Sequence, residues 1–153
     1  MARIAIALLL ALVASPAWTQ TDLERGRYLV LVGHCNNCHT AGYTESAGDV
    51  PRARWLMGNR VGWRSAVGTT YPTNLRLLVS EISEDAWVTL SKTMQTRPPM
   101  PWWSMRDTTE GDLRLMYRFI RSLGAAGDPA PAFLPPDTMP PQPFVQLPMP
   151  PAR

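Results

Sequence analysis

Apolar residues fall at helical spacing in three separate stretches of this chain, each opened by a polar capping signal. In the first, Thr21-Asp22-Leu23-Glu24 has the form of a capping box, with Thr21 as N-cap and Glu24 three residues on. Leu23, Tyr28, Leu29 and Val32 then give one apolar face, and Gly33 is the natural stop. Gly26 is out of place in a helix interior, where it costs about 1 kcal/mol against alanine, unless another helix crosses closely there. In the second stretch Ser83 caps a helix whose first turn carries Glu84 and Asp85, and Ile82 and Trp87 are spaced as a hydrophobic staple. Ala86, Trp87, Leu90 and Met94 form its apolar stripe, and Arg97-Pro98-Pro99 ends it. The third opens at Thr109-Glu110-Gly111-Asp112. Leu113, Met116, Tyr117, Ile120 and Leu123 follow at i, i+3, i+4, i+7 and i+10, with Gly124 placed as the C′ residue. Its polar face carries Arg114, Arg118 and Arg121.

Between these stretches the pattern lapses. Residues 40–76 have no clear period and recurrent glycines, which reads as long loops with one short helical turn. From Gly127 proline dominates, with Phe133, Leu134, Phe144, Val145 and Leu147 scattered through it. Such a segment is neither helix nor central strand. It is expected to be extended, lying on its own domain or on a partner, with a plain disordered tail as the alternative. At the other end, Arg3 and the apolar run Ile4 to Ala14, followed by Ser15 and Ala17, have the layout of a secretory signal. The run is too short to span a bilayer comfortably. The expected organisation is therefore a signal peptide over 1–19, one domain over 20–126, and a Pro-rich extended tail over 127–153. The mature protein would be exported, with no membrane span after cleavage.

Charge adds little. The formal net charge of the 153 residues is +3, and loss of Arg3 lowers it, so the balance gives no case for nucleic acid. Distribution says more. Arg52, Arg54, Arg60, Arg64 and Arg76 fall in a stretch from Val50 to Ser80 that holds no acid.

Five residues carry most of the chemistry. Cys35-Asn36-Asn37-Cys38-His39 spells C-x-x-C-H, the attachment pattern for c-type haem. Two cysteines three apart reach the two vinyl groups of one haem, and the histidine that follows gives the iron an imidazole nitrogen. A zinc site would need two more ligands, yet the chain has two cysteines in all, and His34 adjoins the motif too closely to close a tetrahedron. A thiol oxidoreductase would want a βαβ context, which is absent. One covalent haem is thus expected, on Cys35 and Cys38, with His39 as proximal ligand. Export agrees with this, since bacteria attach such haem outside the cytoplasm. Those arginines of the acid-free stretch are candidates to pair with haem propionates or rim the haem edge.

A haem held by His39 alone leaves one face of its iron open to oxygen or peroxide chemistry, whereas a methionine thioether closes that face and favours electron transfer. Of eight methionines, Met94 and Met116 lie on helix stripes, and Met139 and Met149 in the tail. Met100 stands in Arg97-Pro98-Pro99-Met100-Pro101-Trp102-Trp103, where prolines on both sides stiffen the loop. A weak ligand needs such pre-organisation. Met100 is the first candidate, with Met57 and Met105 left as the others.

With these residues in view the chain resembles class I c-type cytochromes, and within them the monohaem cytochrome domains associated with bacterial periplasmic quinoprotein alcohol dehydrogenases. The residues that carry the likeness are Arg25 to Leu29 leading into the haem motif, Gly68-Thr69-Thr70-Tyr71-Pro72-Thr73-Asn74, Ser83 to Trp87, Pro99-Met100-Pro101-Trp102 and Asp112 to Tyr117. Two places depart from the family pattern: Leu75-Arg76-Leu77-Leu78-Val79, and Arg54-Trp55-Leu56-Met57-Gly58. The resemblance implies an all-α, cytochrome c-like fold of three main helices with long loops around one haem, the first and last helices crossing with Gly26 facing the Tyr117 side of the last helix. It implies His39 and Met100 as axial ligands, a loop around Tyr71 and Asn74 bordering the haem, and Trp102 and Trp103 on the methionine side. The function expected from it is periplasmic one-electron transfer, with a redox partner protein such as a dehydrogenase subunit and no enzymatic activity of its own. The rival expectations are a haem enzyme or gas-binding sensor with an open distal site, and a thiol oxidoreductase on Cys35 and Cys38.

Overall fold

The computed structural model describes residues 18–148. The signal-like segment up to Ala17 and the last five residues of the tail lie outside the described residues. The order of elements is α1 (Gln20–Val32), α2 (Cys35–His39), β1 (Gly62–Ser65), β2 (Gly68–Thr70), α3 (Leu75–Glu81), α4 (Glu84–Thr93), α5 (Trp102–Asp107), α6 (Glu110–Ser122) and β3 (Phe144–Gln146), with one 3₁₀ turn at Arg52–Arg54. Helices dominate, but the all-α expectation needs correction. The strands form a small sheet of order β2-β1-β3, in which β1 pairs antiparallel with β2 and parallel with β3. Pairing of β3 with β1 brings together segments some eighty residues apart. No local period reveals such a pairing.

The three helices read from the apolar pattern are α1, α4 and α6. The α1 cap sits two residues earlier than the capping box suggests: Thr19, not Thr21, accepts the Asp22 amide at 3.1 Å. The other two caps are Ser83, accepting from Ala86 N, and Thr109, accepting from Asp112 N. On α4 the buried face is Trp87, Val88 and Ser91 rather than the expected stripe, and Leu90 is exposed. The chain leaves α6 through Gly124 at φ +74°, in the left-handed region where glycine is favoured.

Helix α1 crosses α6, and Gly26 makes the crossing possible. A Cβ on Gly26 would collide with the Leu115 carbonyl oxygen and lie 2.8 Å from Phe119 Cβ. The partners are thus Leu115 and Phe119, not Tyr117, whose ring lies against Trp87 and whose hydroxyl donates to Ile82 O at 2.8 Å. Val30, Leu56, Val79, Leu113 and Ile120 are fully buried at the centre. Trp55 bridges loop and helices, edge-on to both Tyr43 and Phe119. Arg118 holds Glu84 through two hydrogen bonds, and Arg121 donates to Val79 O, so the polar face of α6 ties down α4 and α3 rather than standing in water. Gly26→Ala is expected to lower stability by about 1–3 kcal/mol or more, because the helices must part to admit the methyl group. The midpoint of urea unfolding checks it.

The Pro-rich segment lies on its own domain. Leu134 exchanges two backbone hydrogen bonds with Thr69, β3 adds an edge strand beside β1, and Arg64 donates to the carbonyls of Thr138 and Pro136. An edge position needs few amide donors, which suits a short strand flanked by prolines. No helix among the described residues is long and apolar enough to cross a membrane.

Candidate functional site

The C-x-x-C-H motif forms its own short helix, α2, instead of the last turn of α1. Gly33 closes α1, and His34 takes a left-handed φ of 56° that redirects the chain. Cys35 and Cys38 then lie one turn apart on α2, as free thiols. The turn is held from within: Thr40 Oγ1 donates to Asn36 Oδ1 at 2.7 Å and accepts the Leu56 amide at 2.7 Å.

His39 ends α2 beside the loop that follows β2. Its Nδ1 lies 2.7 Å from the Thr73 carbonyl oxygen. A carbonyl only accepts, so Nδ1 carries the hydrogen and Nε2 keeps its lone pair. That is the tautomer a metal-binding imidazole needs, with the second ring nitrogen already oriented. Burial also pushes the His39 pKa down, which favours the neutral ring, while the Thr73 hydrogen bond works in the opposite sense. Gly58 makes the contact possible. Its amide donates to His39 O at 2.8 Å, and a Cβ there would lie 2.8 Å from Pro72 O and 3.0 Å from Asn74 N. Only a residue without a side chain lets the two loops close on His39.

His39 opens on a cavity of about 590 Å³, within the span of roughly 300–1,000 Å³ usual for ligand and cofactor sites. Cys38, His39, Tyr71, Asn74 and Met100 all line it. Leu77, Leu78, Pro99 and Pro131 supply apolar wall, and Trp63, Thr70, Gln95 and Arg97 supply polar groups. Among the described residues Met100 is the only methionine in the lining. Met57 lies instead against Gly127 at a second, smaller cavity, and Met105 packs on the core. Cys35 is not a lining residue; it packs at the edge of the core. Burial pushes its thiol up to about 11, and burial raises Cys38 as well. Thiols so disposed are poor thiolate nucleophiles.

Asn74 turns out to be a structural hub as well as a lining residue. Its Oδ1 caps α3 by accepting the amides of Arg76 and Leu77, while its Nδ2 donates to the carbonyls of Ala126 and Asp128. One side chain thereby fixes the loop that carries Thr73 to the root of the tail.

Two expectations need correction. Trp102 does not line the cavity. Pro101 starts α5 at that point, and the Trp102 indole is engaged edge-on by Trp103 and by the Arg106 guanidinium at 5.5 Å. Nor does any of Arg52, Arg54, Arg60, Arg64 and Arg76 line it. Arg76 points inward to three carbonyls, Arg64 holds the tail, and the other three are exposed. The arginine at the cavity is Arg97, just before the Met100 loop. Sequence reasoning also missed the Thr73 carbonyl, which no side chain advertises, and the tail residues Pro129, Ala130, Pro131 and Phe133, which form one wall. The scattered aromatic Phe133 in a proline tract was the available signal.

The residues present fit a c-type haem: an imidazole with its free nitrogen fixed, the Cys38 thiol and one thioether line a cavity of suitable size, and Cys35 stands one turn from Cys38 outside that lining. No protein-family model, curated protein or solved structure matches the chain.

Proposed function

We propose that this protein is an exported class I c-type cytochrome with a cytochrome c-like fold, carrying one covalent haem and transferring one electron at a time. It would work in the periplasm, taking electrons from a dehydrogenase and passing them towards a respiratory chain. Cys35 and Cys38 would hold the porphyrin, with His39 and Met100 as axial ligands. The observation that carries this reading is His39, whose Nδ1–H is spent on the Thr73 carbonyl beside a cavity that also receives Met100.

When bound, the haem iron supplies the one-electron redox chemistry. The chain supplies the rest. The Thr73 carbonyl keeps the proton on Nδ1 and aims Nε2. The prolines around Met100 present its sulfur from a loop with little freedom to lose. Leu77, Leu78 and the tail prolines give the cavity an apolar wall, and Tyr71 and Thr70 offer hydroxyls beside it. The raised thiols of Cys35 and Cys38 weigh against a thiol-exchange enzyme, which depends on a lowered thiol pKa.

The test is a visible spectrum and a carbon monoxide titration of the protein exported from cells able to attach c-type haem. The ferric protein should show the weak far-red band of methionine ligation, and the reduced protein should not bind carbon monoxide readily. Ready binding without that band would instead mark an open distal site, and with it a haem enzyme or gas sensor.

A further inference from the structure

The loop that carries Met100 has few means of holding itself in place. Pro98, Pro99 and Pro101 have no amide hydrogens. Among the described residues, the one hydrogen bond reaching segment 97–99 from elsewhere is from Thr70 Oγ1 to Pro98 O, at 3.1 Å. The other hold on this segment comes from the tail: the Arg97 guanidinium lies over the Phe133 ring, 3.9 Å from its centroid. Arg97 stands three residues before Met100, and both it and Phe133 line the cavity.

Phe133 is itself firmly seated. Next to it, Leu134 exchanges hydrogen bonds of 2.8 and 3.0 Å with Thr69. Gly68 lets the ring lie flush on the hairpin: a Cβ there would come within 2.5 Å of the Phe133 ring, and its φ of +111° also favours glycine. Upstream, Asn74 grips the tail at Ala126 and Asp128. Two independent anchors thus flank the ring that meets Arg97.

We propose that Phe133 is a positioning residue for the Met100 ligand: the Pro-rich tail clamps the ligand loop from outside through the Phe133–Arg97 contact and thereby sets how often the thioether leaves its site. This rests on the reading of Met100 as an axial ligand. Loss of an exposed cation–π contact raises the open fraction of the loop by about two- to fivefold. Removal of part of the cavity wall acts in the same direction.

The experiment is carbon monoxide binding to the reduced holoprotein, where entry waits on release of Met100, read beside the far-red band of the ferric form. Phe133→Ala and Arg97→Ala should each speed binding at least twofold and weaken the band. The double variant should do little more than Phe133→Ala alone, since the contact with Arg97 is already lost there. Phe133→Trp should restore wild-type behaviour, because it keeps an aromatic face for Arg97. Met139→Ala, at an exposed tail position, should change nothing. Wild-type rates in Phe133→Ala, or effects of the two alanines that simply multiply, would overturn the proposal while leaving the ligand reading intact. Absence of the band from the wild type would overturn the ligand reading itself.

Discussion

Alanine in place of Met100 is expected to leave covalent attachment intact, abolish the far-red band and let the reduced protein bind carbon monoxide. Met100 is the only methionine lining the cavity among the described residues, and the two other candidates are engaged elsewhere, Met57 against Gly127 and Met105 on the core. His34, the other imidazole, sits exposed at a left-handed position and does not line the cavity. Among the described residues no second thioether or imidazole lines the cavity opposite His39 to replace Met100. Axial ligation governs a span of roughly 0.8 V in haem potentials, and methionine raises the value, so the midpoint potential of Met100→Ala should fall by on the order of a tenth of that span or more. A potentiometric titration of both proteins reads the change. An unchanged potential with the band retained would mean that Met100 is not the ligand.

The largest effect on stability is expected at Arg76. This side chain is buried, and among the described residues no carboxylate accompanies it. Its guanidinium donates to Gly124 O at 2.6 Å, to Ala53 O at 2.7 Å and to Leu123 O, closing the C-terminal end of α6 on the loop before Trp55. These carbonyls include acceptors that the helix end leaves without partners. Burial works against the charge and pulls the Arg76 pKa down, so the site is stable only while all three acceptors are met. Arg76→Met keeps the apolar stem and strands the carbonyls. Hydrogen bonds from a charged donor contribute about 1.5–3 kcal/mol each, less where water can reach the carbonyl as at Ala53 and Gly124, so the loss should be about 3 kcal/mol. Arg76→Lys should recover only part, since a point-like ammonium cannot reach three acceptors set in a fork. Urea unfolding midpoints of the three proteins decide this, and a change below 1 kcal/mol in Arg76→Met would refute it.

Arg76 also illustrates where reading the sequence falls short. An acid-free run of five arginines suggests partners with negative charge, yet Arg76 and Arg64 are satisfied by backbone carbonyls, which composition does not display. The long helices were legible because burial on one face imposes a period, as Leu113, Met116, Tyr117 and Ile120 do on α6. Helices α3 and α5, seven and six residues long, span too few turns to repeat any pattern. The three-stranded sheet depends on β3 meeting β1 across most of the chain. Of the candidate site, Cys38, His39, Tyr71, Asn74 and Met100 were legible and meet at one cavity. Trp102, expected beside them, begins α5 after Pro101 and is not among the lining residues. Gly26 was legible for a different reason: a glycine that weakens its own helix needs a neighbour close enough to forbid a side chain, and Leu115 is that neighbour.

Everything proposed for His39 and Met100 presupposes that Cys35 and Cys38 carry a haem. The most direct test is the mass of the exported chain after full denaturation, measured beside the Cys35→Ser/Cys38→Ser variant. The wild type should carry the added mass of one haem through denaturation, and the variant should not. A wild-type chain that comes out at its bare mass, with both thiols free to react, would contradict the account.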